Sequence, residues 1–313
     1  MLKILIDCDP GVDDSIALLF ALNRSDVEIV GITTGVGNVS ASQGAANTLA
    51  LLKLAGHEDI PVCIGYEQTL SGHTDHFPTW IHGKNGLGNV HLPASEYQPV
   101  NQPVTEFIYQ KACEYSHQLL LVTLGRMTNI AQTLALHPDL SEKIPRVVSM
   151  GGTLNAHGNV GPVSEANIWG DPEAADLVMQ QPWDLTLVGL DVTLQTHICL
   201  DEIRKLKTFC RKEVRPQVDF IEQELLYYTN GNRSQSFTME YSPLHDPLAM
   251  IVAIDPSCVT CQKRITRVEC TGSLTRGMVV TDTREKTMAG RFVNHCISVD
   301  SRKALNILYG VFQ

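Results

Sequence analysis

Apolar residues occur in two patterns along this chain. Short, nearly continuous runs rich in Val, Ile and Leu occupy Leu2 to Ile6, Val27 to Thr34, Val62 to Gly65, Leu119 to Leu124, Arg146 to Met150 and Leu185 to Leu190. Between them lie segments whose apolar positions recur at helical spacing: Ser15 to Leu22, Ser42 to Leu54 and Asn129 to Leu136. Runs of the first kind suit strands buried on both faces, and the alternation predicts a mostly parallel central sheet with helices on both sides. Toward the C-terminus, Ile265 to Cys270, Gly277 to Thr281 and Phe292 to Val299 look like shorter strands joined by turns, and a helix from Ser301 closes the chain. These short strands predict an antiparallel margin to the sheet. No repeat of fixed period and no low-complexity linker interrupts the pattern. The expected fold is therefore α/β and Rossmann-like, a single domain over residues 1–313.

Composition narrows the function classes. The 313 residues are 43% hydrophobic and 19% charged, with a formal charge of −10, which is ordinary for a globular protein and unlike a disordered or membrane-spanning chain. Nucleic acid rewards clustered Lys and Arg, and here the basic residues are scattered, so neither nucleic acid nor membrane is an expected partner. The N-terminus enters a strand pattern and reaches Asp7 at once, without the length or cleavage site of a signal peptide, so the protein is expected in the cytoplasm. Nine cysteines, dispersed and odd in number, suit free thiols in a reducing compartment. Cys258, Cys261 and Cys270 include one CxxC, but zinc wants a second pair or a nearby His, so packing is the better reading.

In open α/β sheets, ligands bind beyond the carboxyl ends of the strands. Polar, oxygen-bearing side chains follow several of the apolar runs: Asp7, Asp9, Asp13 and Asp14 after the first, Asn38 after the second, the turn at Leu124, then Asn159, Glu165 and Asn167. The segment Asp7-Cys8-Asp9-Pro10-Gly11-Val12-Asp13-Asp14 packs four carboxylates into eight residues where a buried strand turns into a helix. Such acids repel one another unless a cation or hydrogen bonds offset the charge, and a hard divalent ion such as calcium accepts many oxygen ligands in irregular geometry. The competing reading is that Asp13 or Asp14 caps the helix. Downstream, His245-Asp246-Pro247 looks like a helix start with Asp246 as cap, and Asp171-Pro172-Glu173 has the same form.

The opening acid motif resembles the signature of the inosine-uridine-preferring nucleoside hydrolases. Gly35 to Asn38, Ile81-His82-Gly83, Gly125 to Ala131, Met150-Gly151-Gly152, Gly158 to Asn167, Asp171 to Ala175 and His245-Asp246 follow in that family's order. The resemblance implies calcium-dependent hydrolysis of the N-glycosidic bond of ribonucleosides to ribose and free base, in the service of nucleoside salvage. It implies a calcium ion held by Asp9, Asp14, Asp246 and the backbone carbonyl of Leu124. It makes Asp9 the general base, Asp13 a neighbouring acid in contact with water and sugar, and His245 the acid that assists the departing base. Asn38, Met150, Asn159, Glu165 and Asn167 become the ribose pocket, with His82 near the substrate. A homo-oligomer, dimer or tetramer, is also implied.

His82 falls in a long loop, Glu67 to Val100, of the kind that often covers an active site; His73 and His76 in the same loop are expected to face solvent. Tyr227, Tyr228 and Tyr241 lie where relatives place base-stacking residues, with none singled out. Two positions depart from the family pattern: Ala166 where many members have Phe, and Arg126, which faces either into the site or away from it. Rival readings are a magnesium-dependent aspartyl phosphatase using Asp7 and Asp9, whose pattern Gly11 does not fit, and a nucleoside-binding protein without turnover.

Overall fold

The computed structural model describes residues 1–72, 77–235, 241–284 and 288–313, with the backbone alone for 233–235. His73 and His76 lie outside the described residues. The strands are β1 (Leu2–Cys8), β2 (Val27–Thr34), β3 (Val62–Ile64), β4 (Leu119–Thr123), β5 (Arg146–Met150), β6 (Asp184–Val188), β7 (His197–Ile198), β8 (Ser242–Pro243), β9 (Val259–Val268), β10 (Val279–Asp282) and β11 (Arg291–Val299). One nine-stranded sheet runs in the order β10-β9-β11-β6-β5-β4-β1-β2-β3, while β7 and β8 form a separate small ribbon. From β3 across to β11 all neighbours are parallel; β9 pairs antiparallel with both β11 and β10.

The mostly parallel sheet with an antiparallel margin matches the sequence expectation, with two differences in its C-terminal strands. The strand expected over Phe292 to Val299 is β11, and it extends the parallel part by pairing with β6. Its partner β9 begins at Val259, well before Ile265, because Thr260 to Lys263 are exposed and carry no apolar alternation to betray a strand.

The sheet separates two apolar cores. Ile4, Ile6 and Cys8 of β1 join one and Leu5 joins the other, as the two-residue period of a strand requires. Helix Val12–Leu22 is buried along its whole length, and helix Asp246–Ile254, which packs beside it, is buried from Asp246 to Ala253. Helix Arg215–Gln235 also packs against the first of these. An interior position of this kind explains why both sequences are apolar on every side. Among the described residues, no helix is long and apolar enough to cross a membrane.

Strand order fixes where a ligand can sit. From β1 the chain winds outward to β2 and β3, then returns to the other side of β1 as β4, so the order reverses between β1 and β4. At such a switch point the connections leave in opposite directions and open a crevice beyond the carboxyl ends of the strands. Asp9, Asn38, Leu124 and Met150 all lie at or just past the carboxyl ends of four adjacent strands, β1, β2, β4 and β5.

Candidate active site

Two aspartates separated by one residue meet different fates at the end of β1. Asp7 is still inside the sheet, and its Oδ1 accepts hydrogen bonds from Thr33 Oγ1 at 2.5 Å and Asn129 Nδ2 at 2.7 Å. Burial nonetheless pushes its carboxyl up to about 6. Asn129 also donates to the Thr34 carbonyl and accepts from the Tyr66 amide, binding the ends of β1 and β2 to the following loop. Asp7 is thus part of the framework, and the phosphatase arrangement, which needs Asp7 beside Asp9, is absent.

Asp9 lies past the strand, between two glycines. A Cβ on Gly125 would come to 2.5 Å from Asp9 Oδ1, and one on Gly37 would overlap Asp9 Oδ2. The Asn38 amide donates to Asp9 Oδ2 at 2.7 Å. Asp14 both caps the helix start and faces its neighbours. Its Oδ2 accepts from the Gly11 amide at 2.9 Å and from Asn38 Nδ2 at 3.1 Å, and its Oδ1 accepts from the Asp9 amide at 3.3 Å. The choice between capping and ligation posed by the sequence is therefore not exclusive. Asp246 differs from its sequence reading: His245 occupies the cap position, no side chain caps the helix, and the Asp246 carboxylate turns to Asp14. Asp171, by contrast, does cap its helix through the Ala174 amide.

Asp13, Asp14 and Asp246 each place an oxygen within 4.8 Å of the others. Asp9 borders this trio rather than belonging to it. All four are at most 8% exposed. Burial, first, and then the neighbouring carboxylates hold Asp9 and Asp246 well above the usual carboxylate range and push Asp13 up to about 7. Asp9 Oδ1 and Asp13 Oδ1 are buried without a hydrogen-bond partner. Buried carboxyls in such contact hold protons unless a cation answers their charge, and an all-oxygen donor set suits a hard divalent ion. The Leu124 carbonyl accepts from Asn167 Nδ2 at 2.6 Å and keeps a second lone pair.

Two histidines border the acids. His82 is 6% exposed, and its Nδ1 accepts from the Val12 amide at 3.2 Å and lies 3.8 Å from Asp13 Oδ1. Its ring crosses Gly11 so closely that a Cβ there would meet Nδ1 at 2.5 Å, which explains glycine in the acid motif. His245 Nδ1 is 2.9 Å from Thr193 Oγ1. Burial lowers both rings, to about 3 for His82 and about 4 for His245, so each is neutral near pH 7. Among the tyrosines, Tyr228 turns inward, its hydroxyl donating to Asp13 Oδ2 at 3.4 Å, while Tyr227 bonds the Thr79 carbonyl and Tyr241 stacks on His197. Helical spacing could have singled out Tyr228, because Ile221 and Leu225 share its buried face. Thr193 and Asn129 had no comparable signal.

The loop after β5 supplies the remaining expected residues. Glu165 caps the short helix Ala166–Gly170, its carboxylate accepting from the amides of Gly152, Asn167 and Ile168 at 2.8 to 3.1 Å. Asn167 Nδ2 reaches the carbonyls of Leu124 and Met150, and Asn159, which is exposed, accepts from the Ala166 amide. Arg126 lies across Gly170, and its charge acts on Asp9 and Glu165; it faces the site.

With this geometry in hand, the relatives are informative. Residues 4–306 match the family described as inosine-uridine preferring nucleoside hydrolase. The chain is 35% identical over 271 residues to uridine nucleosidase 1 of Arabidopsis thaliana, covering 86% of this chain and 79% of that one. It is 34% identical over 282 residues to the pyrimidine-specific ribonucleoside hydrolase RihA of Escherichia coli, covering 90% and 88%. Its fold matches the solved purine-preferring ribonucleoside hydrolase from Gardnerella vaginalis with a TM-score of 0.92 at 33% identity, covering 99% of this chain and 98% of that one. A match that spans nearly every element, acid motif included, assigns the chain to the inosine-uridine preferring nucleoside hydrolase family, glycosidases that act on ribonucleosides.

Proposed function

We propose that the chain hydrolyses the N-glycosidic bond of ribonucleosides with the help of a calcium ion held by Asp9, Asp14, Asp246 and the Leu124 carbonyl. The observation that carries this reading is the pair of buried, partnerless oxygens, Asp9 Oδ1 and Asp13 Oδ1, in a crowd of carboxylates at the switch point of the sheet. When bound, the ion offsets that charge, acidifies a water and orients sugar hydroxyls.

The residues of the chain divide the remaining work. Asp9 acts as general base through Oδ1, while the Asn38 amide fixes Oδ2 and so the direction of the free oxygen. Asp13, anchored by Tyr228, faces water and sugar. Asn38, Met150, Asn159, Glu165 and Asn167 form the ribose pocket, and His82 lies near the substrate. As the sugar approaches an oxocarbenium ion, the surrounding carboxylates stabilise its positive charge. With the Thr193 hydroxyl donating to Nδ1, the neutral His245 ring would carry its proton on Nε2 and assist the departing base by donating a hydrogen bond to it.

The test is ribose release from inosine and uridine, with and without a chelator, beside a phosphate-monoester control. Release that stops on chelation and returns with calcium is expected. Release indifferent to the chelator removes the ion from the reaction, and nucleoside binding without ribose release reduces the protein to a binder. The family likeness also supports a homo-oligomer, dimer or tetramer, acting in nucleoside salvage; sedimentation at the monomer mass excludes the assembly.

A further inference from the structure

All nine cysteines are free thiols, yet two of them face each other. Cys261 on β9 and Cys296 on β11 are register partners, and their Sγ atoms are 3.5 Å apart. Directly opposed residues of antiparallel strands have Cα atoms about 4.5 or 5.5 Å apart, and both spacings fall within the roughly 4.4–6.8 Å that a disulfide spans. Closing the bond therefore needs side-chain rotation rather than backbone movement. The rung also adjoins a register irregularity between Cys296 and Ser298, where an extra residue leaves the ladder locally looser.

The two thiols differ in access. Cys261 is exposed, as are Thr260, Gln262 and Lys263 around it, whereas Cys296 is 2% exposed. The Cys296 thiol beside it pulls Cys261 down to about 7, while that same contact and burial push Cys296 up. An incoming reagent thus meets the more acidic, outer sulfur first, and the inner one stands behind it. The CxxC spacing gains a different partner from the one it suggested: among the described residues no third ligand gathers here for a metal, and Cys261 pairs across the sheet rather than with Cys258.

We propose that Cys261 and Cys296 form a thiol–disulfide exchange site that accepts low-molecular-weight disulfides of the glutathione class and ends as an intramolecular cross-strand disulfide. In the first step the Cys261 thiolate attacks one sulfur of oxidised glutathione, breaking its S–S bond and releasing one glutathione thiolate. In the second, the Cys296 thiol loses its proton to solvent, attacks Cys261 Sγ, and displaces the second glutathione thiolate. The protein loses two electrons, and one oxidised glutathione becomes two reduced molecules.

The test treats the reduced, full-length protein with oxidised glutathione, alkylates the remaining thiols under denaturing conditions, and maps peptides by mass spectrometry. The expected product joins the Cys261 and Cys296 peptides, with two fewer alkylatable thiols than the nine of the reduced chain, and dithiothreitol restores them. Cys258→Ser is expected to cross-link like the parent, and Cys261→Ser to leave Cys296 unmodified. Cys113, which is also exposed, serves as the internal reference, with Cys261 reacting about tenfold faster or more. Stable glutathione on Cys261 beside a free Cys296 overturns the proposal, as does a Cys261 that stays free while Cys113 is modified.

Discussion

The acids at the end of β1 and those of the loop after β5 are equally buried, yet they end in opposite states. Glu165 gives its carboxylate to three backbone amides, and Asp171 accepts from Thr128 Oγ1, the Leu70 amide and the Ala174 amide. Asp9 and Asp13, a few ångströms from other carboxylates, each keep an oxygen without a partner. A buried carboxylate with a full set of donors stabilises the architecture. One left short of donors spends stability in exchange for an ability to bind.

That contrast can be broken by substitution. The largest effect is expected in the acid cluster at the end of β1: Asp9→Asn or Asp14→Asn should lower kcat/KM for inosine by about a thousandfold or more, because each change removes both a carboxylate from the reacting centre and a ligand from the ion. Retention of more than a tenth of the activity would falsify the assigned roles. Next comes His245→Ala, expected to slow natural nucleosides by about a hundredfold while sparing a nitrophenyl riboside, whose leaving group needs no proton. Equal slowing of both substrates takes His245 out of that step.

Stability measurements sharpen the same comparison. Calcium at a hundredfold its Kd should stabilise the protein by about 2.7 kcal/mol, a rise in Tm of about 5 °C, and Asp14→Asn should abolish that rise. An unchanged Tm in calorimetry with and without calcium argues against a resident ion. The smallest effect belongs to Asp171, the satisfied acid outside the proposed pocket. Asp171→Asn should cost about 2 kcal/mol, because an amide nitrogen replaces one acceptor oxygen among donors, and leave kcat/KM within about threefold. Asp13→Asn should hold or raise Tm in the absence of calcium, since it relieves repulsion. If Asp171→Asn leaves Tm unchanged while Asp13→Asn lowers it, the distinction between the two regions collapses.

Much of this was legible in the chain itself. Strands β1, β2, β4 and β5 coincide with apolar runs to within a residue or two, because a strand buried on both faces must be apolar nearly throughout. Strand β9 was half hidden, since its exposed half needs only backbone pairing with β11 and places no demand on its side chains. The acid motif announced itself by charge density. Asp246 did not, because a lone Asp before Pro looks like any helix cap, and only the side-by-side packing of helices Val12–Leu22 and Asp246–Ile254 carries it to Asp14.

The sequence by itself determined the layered α/β plan, the rim where polar groups gather and the family likeness, since periodicity and motif order are written in local residue spacing. Tertiary structure alone decided which acids remain short of donors, that Arg126 faces inward, and that Cys261 opposes Cys296. Each of those outcomes depends on groups far apart in the chain, joined by strand order and helix packing, and no local pattern encodes whether a buried oxygen will find a partner.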